Sequence, residues 1–249
     1  MATLAHDSHE SEMVVHVHHQ YENIDQQNES YIVGMWCFLV TEIMFFGALF
    51  LMYTIYRWNY QFDFYGAHLE LSQTPDSPIV GPIVKALGYQ EFPLWGALNT
   101  TILLLSSFTM VLAVRAAQLR VKKDVLKYLG STIVFASIFL VIKLSQEWPP
   151  KWTHKLVPGA NFNPELAHLH GANPHPAELF YCLYFAMTGL HGIHVLAGIG
   201  ILTALVVLWK KGAKSVTEDY VPTEMVGLYW HFVDLVWIFL FPLFYLIPR

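Results

Sequence analysis

The chain has 249 residues and a formal net charge of −5; 55% of its residues are apolar and only 13% are charged. Soluble domains carry roughly a quarter charged residues, so neither a disordered chain nor an ordinary soluble globule fits. The few basic groups exclude a polybasic nucleic-acid surface and two cysteines exclude a disulfide scaffold, which leaves a membrane protein.

In chain order, residues 1–30 are polar and rich in histidine (His6, His9, His16, His18, His19). They hold no Lys or Arg and no apolar h-region, so no cleaved signal peptide is expected. We read them as a flexible cytoplasmic tail, with transient metal capture as the alternative use of the imidazoles. Five apolar runs follow, at about 33–56, 94–114, 128–144, 179–209 and 226–247, and their only charged residues are Glu42, Lys143 and Asp234. Such runs suit a bilayer about 30 Å thick. Backbone groups in lipid must be bonded within their own segment, so the spans are helices, and the runs alternate too little for a barrel. The fourth is longer than needed and must tilt or protrude. The expected fold is therefore all-α: residues 31–249 form a polytopic, multi-pass membrane bundle of five transmembrane helices.

The loops set the orientation. Arg115, Arg120, Lys122, Lys123 and Lys127 follow span two, and Lys210, Lys211 and Lys214 follow span four. Arg57, Lys85, Lys151, Lys155 and Arg249 are spread over the longer loops of the other side. The positive-inside rule then places the amino end inside and the carboxyl end outside. The outer loop 57–93 carries Trp58, Tyr60, Phe62, Phe64 and Tyr65, suited to the interfacial belt or to a partner surface. The second outer loop, 146–178, is rich in Pro and His. Five spans without an internal repeat disfavour an inverted-repeat transporter. Cys37 and Cys182 fall near opposite ends of their spans, so they are expected not to bond and to act as small apolar packers.

Ionisable groups inside a span are costly and point inward or to a partner. At about 1.5 Å per residue, Glu42 lies roughly 14 Å and Asp234 roughly 12 Å into their spans from the same side. His191 and His194 form an i, i+3 pair near the middle of span four. Glu42, His191, His194 and Asp234 are thus expected to share one polar layer, with His231 of span five facing span four. Three readings of that layer stand: hydrogen bonds that lock the bundle, lipid or proton handling, and haem or metal ligation. Lys143 is expected either to snorkel to the headgroups or to pair with Glu147 one turn on; with His154 these form a polar group at the loop edge.

Four segments carry a resemblance: FLVTEIMFFGALF (38–50), LNTTILLLSS (98–107), TGLHGIHV (188–195) and YWHFVDLVW (229–237). Together with KLSQEWPPKWTHKLVPG (143–159), they resemble subunit III of the haem-copper cytochrome c oxidases in its bacterial form, over nearly the whole chain beyond residue 30. The resemblance implies a non-catalytic subunit of a terminal oxidase of aerobic respiration, in the bacterial plasma (inner) membrane. It implies subunit I as the main contact, with subunit II and other respiratory-complex or supercomplex subunits as further partners. No catalytic residue, metal or other cofactor is implied for this chain; haems and copper sit in the partner subunits. Glu42 matches the family's carbodiimide-reactive intramembrane carboxylate. Family members bind phospholipid, support proton uptake and protect the core during turnover. The usual seven helices are here five, the first two missing, and with them one wall of the family's lipid cleft. The competing readings are a stand-alone haem b cytochrome, using His191 or His194 with His231, and a proton-conducting channel through the Glu42 layer.

Overall fold

The computed structural model describes residues 20–72, 94–153, 155–159, 162 and 173–246. The tail histidines, residues 73–93 and His154 lie outside these. Five helices are long and apolar enough to cross a membrane: α1 (Ile24–Asn59), α3 (Leu94–Gln118), α4 (Lys122–Ile142), α6 (Pro174–Lys211) and α8 (Val221–Phe241). Three shorter helices join them: α2 (Gln61–Ser72), α5 (Trp148–Thr153) and the single turn α7 (Lys214–Thr217). The all-α expectation of five spans holds.

The helix starts and stops follow local chemistry. α1 begins well before its apolar run because Asn23 caps it: its side chain accepts the Gln26 N–H at 2.8 Å, and the Gln26 side chain accepts from the backbone of Glu22 at 2.9 Å. Part of the segment read as tail is therefore helical. α6 ends at Gly212, whose φ of +67° sits in the left-handed region and whose N–H returns to Leu208 and Trp209, a conformation cheapest for glycine. At 36 and 38 residues, α1 and α6 are each about 55 Å long and outreach a bilayer core of about 30 Å.

Widened, π-type turns extend two of the spans, Lys143–Glu147 after α4 and Pro242–Leu246 after α8. Both lie beside prolines. Pro149 and Pro150 cannot donate to Ser145 and Gln146, nor Pro242 to Ile238, so the ladder loosens there. Side chains meet carbonyls of the second turn: Tyr53 donates to Leu243 O at 3.2 Å, and His68 Nδ1 lies 2.9 Å from Phe244 O.

α8 is the hub. It packs on α1, α3 and α6, while α4 closes the bundle against α3 and α6. In the most apolar window of each helix, 56% of α8 is buried but only 11% of α1, so α1 leans on the outside. Lipid tails are as apolar as leucine, so close fit and interhelical hydrogen bonds drive such packing. Large rings enter where glycines leave room: Trp230 against Gly198, Phe241 against Gly96. The indole N–H groups find hydroxyls across helices, Trp230 to Ser106 and Trp237 to Thr100, both at 3.1 Å.

The loop read as 57–93 contains helix α2, which caps one end of the bundle. Asp63 accepts from the backbone N–H and the side-chain amide of Asn173 at 2.7 and 3.1 Å, tying α2 to the start of α6. Of the loop's aromatics, Phe64 turns inward onto Tyr53 and Phe180, whereas Trp58, Tyr60, Phe62 and Tyr65 are exposed. Cys37 and Cys182 are free and both exposed on the bundle's surface, so they do not pack inside it as expected.

Candidate functional site

α1 meets α6 through Glu42 and His194, whose Oε2 and Nε2 lie 3.1 Å apart. The proton count follows from geometry. His194 Nδ1 is 2.8 Å from Leu190 O; a carbonyl only accepts, so Nδ1 carries hydrogen. In a neutral ring Nε2 would then face the carboxylate lone pair to lone pair. The contact therefore needs one further proton, held as imidazolium and carboxylate or as neutral imidazole and carboxylic acid. Phe46 packs edge-on to His194 at 5.3 Å, and Tyr229 donates to His194 O at 3.0 Å. The pair lines a groove of about 400 Å³ between α1 and the α6–α8 face, bounded also by Met35, Phe38, Ile193 and Tyr229.

The single polar layer expected from the sequence is split. Three residues along a helix turn a side chain by about 300°, enough to change neighbours. His194 faces α1, but His191 stacks on Trp237 of α8 at 5.2 Å and meets Phe139 of α4 edge-on at 5.8 Å. His191 is buried, and neither ring nitrogen has a hydrogen-bond partner among the described residues. His231 turns away from α6 toward α3, its Nδ1 2.8 Å from Ser107 Oγ. Asp234 is buried, and among the described residues neither carboxyl oxygen makes a hydrogen bond of normal geometry, although the Ser107 hydroxyl lies close enough to act on it. His191, His194 and His231 thus serve three different neighbours.

A second polar centre lies where the two widened turns meet. Lys143 and Glu147 are 4% and 5% exposed and form an ion pair. This corrects the snorkelling alternative and the loop-edge placement: both groups are enclosed by protein. The wide turn, closed by the Trp148 N–H onto Lys143 O, keeps both side chains inward. Tyr245 donates to Glu147 Oε2 at 2.6 Å, Asn99 to Oε1 at 3.2 Å, and Tyr184 and Tyr245 share a 2.9 Å hydrogen bond. The Lys143 ammonium sits 3.3 Å from each tyrosine hydroxyl and 4.7 Å from the Trp237 ring centre, a cation–π geometry. Burial by itself would raise the Glu147 carboxyl; the Lys143 and Lys151 charges, with hydrogen bonds from Lys143 and Tyr245, outweigh it and hold the carboxyl below its ordinary value. Asn99, Tyr184 and Tyr245 were not singled out from the sequence. The usable signal was the i, i+4 Lys–Glu spacing, since a buried ion pair needs hydrogen-bonding neighbours.

Comparison with known proteins points to one family. The family model for cytochrome c oxidase subunit III matches residues 176–248, which take in nearly all of α6 and the whole of α8. The chain is 24% identical over 241 residues to the cytochrome bo(3) ubiquinol oxidase subunit 3 of Pseudomonas aeruginosa, covering 96% of this chain and 93% of that one. It is 27% identical to the cytochrome c oxidase subunit 3 of Thermostichus vulcanus (94% and 93% covered) and 29% identical to that of Synechocystis sp. (93% and 79% covered). These likenesses support the cytochrome c oxidase subunit III family. Those relatives are named as oxidase subunits, and the five apolar helices of this chain fit a multi-pass membrane protein. The matched region holds the helices that carry His191, His194, His231 and Asp234.

Proposed function

We propose that this protein is the non-catalytic subunit III of a haem-copper terminal oxidase in a bacterial plasma membrane. It braces the catalytic subunit I, contacts subunit II, and leaves haem and copper to those chains. The observation that carries the reading is the near end-to-end likeness to oxidase subunits 3, together with a bundle whose histidines each serve a different neighbour. The Lys/Arg-rich end, with Arg115 to Lys127 and Lys210 to Lys214, lies inside. The groove beside Glu42 and His194 takes a phospholipid chain, the wall that two further helices give in longer relatives coming here from a neighbouring subunit.

Extraction in mild detergent tests this. The chain is expected to travel with a haem-bearing, oxygen-consuming complex, and the isolated chain to show no Soret band. A stoichiometric Soret band on the isolated chain would favour the haem b cytochrome instead. Glu42→Ala is expected to leave the complex assembled and reducing oxygen, with altered activity over prolonged turnover. Its pair with His194 is partly exposed in the groove, and His194 keeps its Nδ1 contact with Leu190 O. Complete loss of oxygen reduction in an assembled complex would refute the bracing role.

A further inference from the structure

Asp234 of α8 is 3% exposed, and no counter-charge reaches it. Among the described residues the one side chain that acts on its carboxyl is Ser107 of α3, through a neutral hydroxyl. The charged and titratable groups on the neighbouring elements are turned elsewhere. Lys143 is paired with Glu147, and Glu42 of α1 with His194 of α6. His191 of α6 stacks on Trp237 with both ring nitrogens bare. His231, one turn back along α8, exerts no charge effect on Asp234, nor Asp234 on it. A carboxylate buried without a counter-charge is strongly unfavourable, so the carboxyl is a neutral acid with an O–H to donate.

Ser107 joins that acid to His231, its Oγ lying 2.8 Å from Nδ1. A hydroxyl has a single hydrogen, so the direction of the chain is fixed once Asp234 is the donor. Asp234 donates to Ser107, Ser107 donates to Nδ1 of His231, and the ring hydrogen sits on Nε2. An ionised Asp234 would run the chain the other way and leave Nε2 bare. His231 stands halfway along α8. It is partly exposed, and its Nε2 is not sealed inside the bundle as the nitrogens of His191 are. The surface around it is apolar: Leu104 and Val111 lie one turn either side of Ser107, Leu235 and Ile238 one and two turns beyond His231, and all four are exposed.

We propose that Asp234 and Ser107 are positioning residues that hold His231 as an outward N–H donor, aimed at an acceptor oxygen on a helix of the neighbouring membrane subunit. Lipid tails offer no acceptor, and an unmet donor deep in the bilayer is unfavourable. A helix that brings a hydroxyl or carbonyl oxygen to this apolar face meets it. The partner's identity rests on the oxidase reading; the placement of the proton does not.

The test uses the complex extracted in mild detergent. Infrared difference spectra compare native and Asp234→Asn protein, and nitrogen NMR of histidine-labelled protein locates the His231 hydrogen, its signal identified by loss in His231→Gln. The expected result is that Asp234→Asn removes a carboxylic-acid carbonyl band and no carboxylate band. His231 is expected to carry its hydrogen on Nε2 in both proteins, because the amide of the variant still donates to Ser107. Retention of the chain on the complex should fall about three- to tenfold in His231→Leu and be largely kept in His231→Gln, whose amide still donates. Loss of a carboxylate band, or a hydrogen on Nδ1 in the native protein, overturns the proton placement. Retention in His231→Leu equal to the native value overturns the docking role. A chain that travels with no oxygen-consuming complex defeats the oxidase reading instead, and both spectra still decide the proton placement on the full chain.

Discussion

Lys143→Met should destabilise the bundle by about 3–5 kcal/mol, because it strands the Glu147 carboxylate in a protein interior without its counter-charge. The remaining hydrogen-bond partners, Tyr245 and Asn99, bring no charge, and of the two cations that act on the carboxyl only Lys151 is left. The double variant Lys143→Met/Glu147→Gln removes both charges and keeps an amide for those donors, so it should recover most of the loss. Thermal unfolding of the detergent-extracted protein measures both; equal losses in single and double variants would show that the two charges are not coupled. The sign of the pH effect follows. Glu147 is held below its ordinary value, so its contribution is complete above the unfolded-state carboxyl pKa of about 4.3 and fades as pH falls through the lower folded value. Acid sensitivity below about pH 4 should therefore be weaker in the double variant than in the native chain.

The second large effect concerns the contact of α6 with α8. A Cβ on Gly198 would stand 2.7 Å from Trp230 Cζ3 and 3.3 Å from Tyr229. Trp230 is fully buried and its N–H is bonded to Ser106, so it has nowhere to retreat. Gly198→Ala should therefore cost about 1–3 kcal/mol through overpacking. Gly192 lies on the same helix, yet a Cβ there meets nothing within 4 Å. Gly192→Ala should instead be neutral, or stabilise by up to about 1 kcal/mol through helix propensity. Opposite signs from one substitution at two glycines of one helix test the packing directly; a loss at Gly192 as large as at Gly198 would show that helix-wide glycine content, not the ring contact, matters.

The spans were legible because a bilayer imposes one length and one composition on any helix that crosses it. The side-chain pairings were less so. The i, i+3 spacing of His191 and His194 suggested one shared face, but whether the remaining 60° or so separates one partner from two depends on how α1, α4 and α8 surround α6, which one helix cannot reveal. Lys143 was ambiguous because its long stem allows either a headgroup or a buried carboxylate. Pro149 and Pro150 announced a break in the helix but not that the break would turn both charges inward. α2 escaped notice because twelve mixed residues carry no span signal, and its place is set by single bonds such as that from Asn173 to Asp63.

The hub has a consequence for biogenesis. α8 is the last of the five spans to leave the ribosome, while α1, its least enclosed client, is the first. Until α8 is inserted, α1 and α3 lack the helix on which both pack, although α4 can already close on α3 and α6. A chain cut short by premature termination therefore cannot mature into a passable imitation of the finished subunit, and quality-control proteases meet an open, loosely gathered set of helices rather than a nearly complete one.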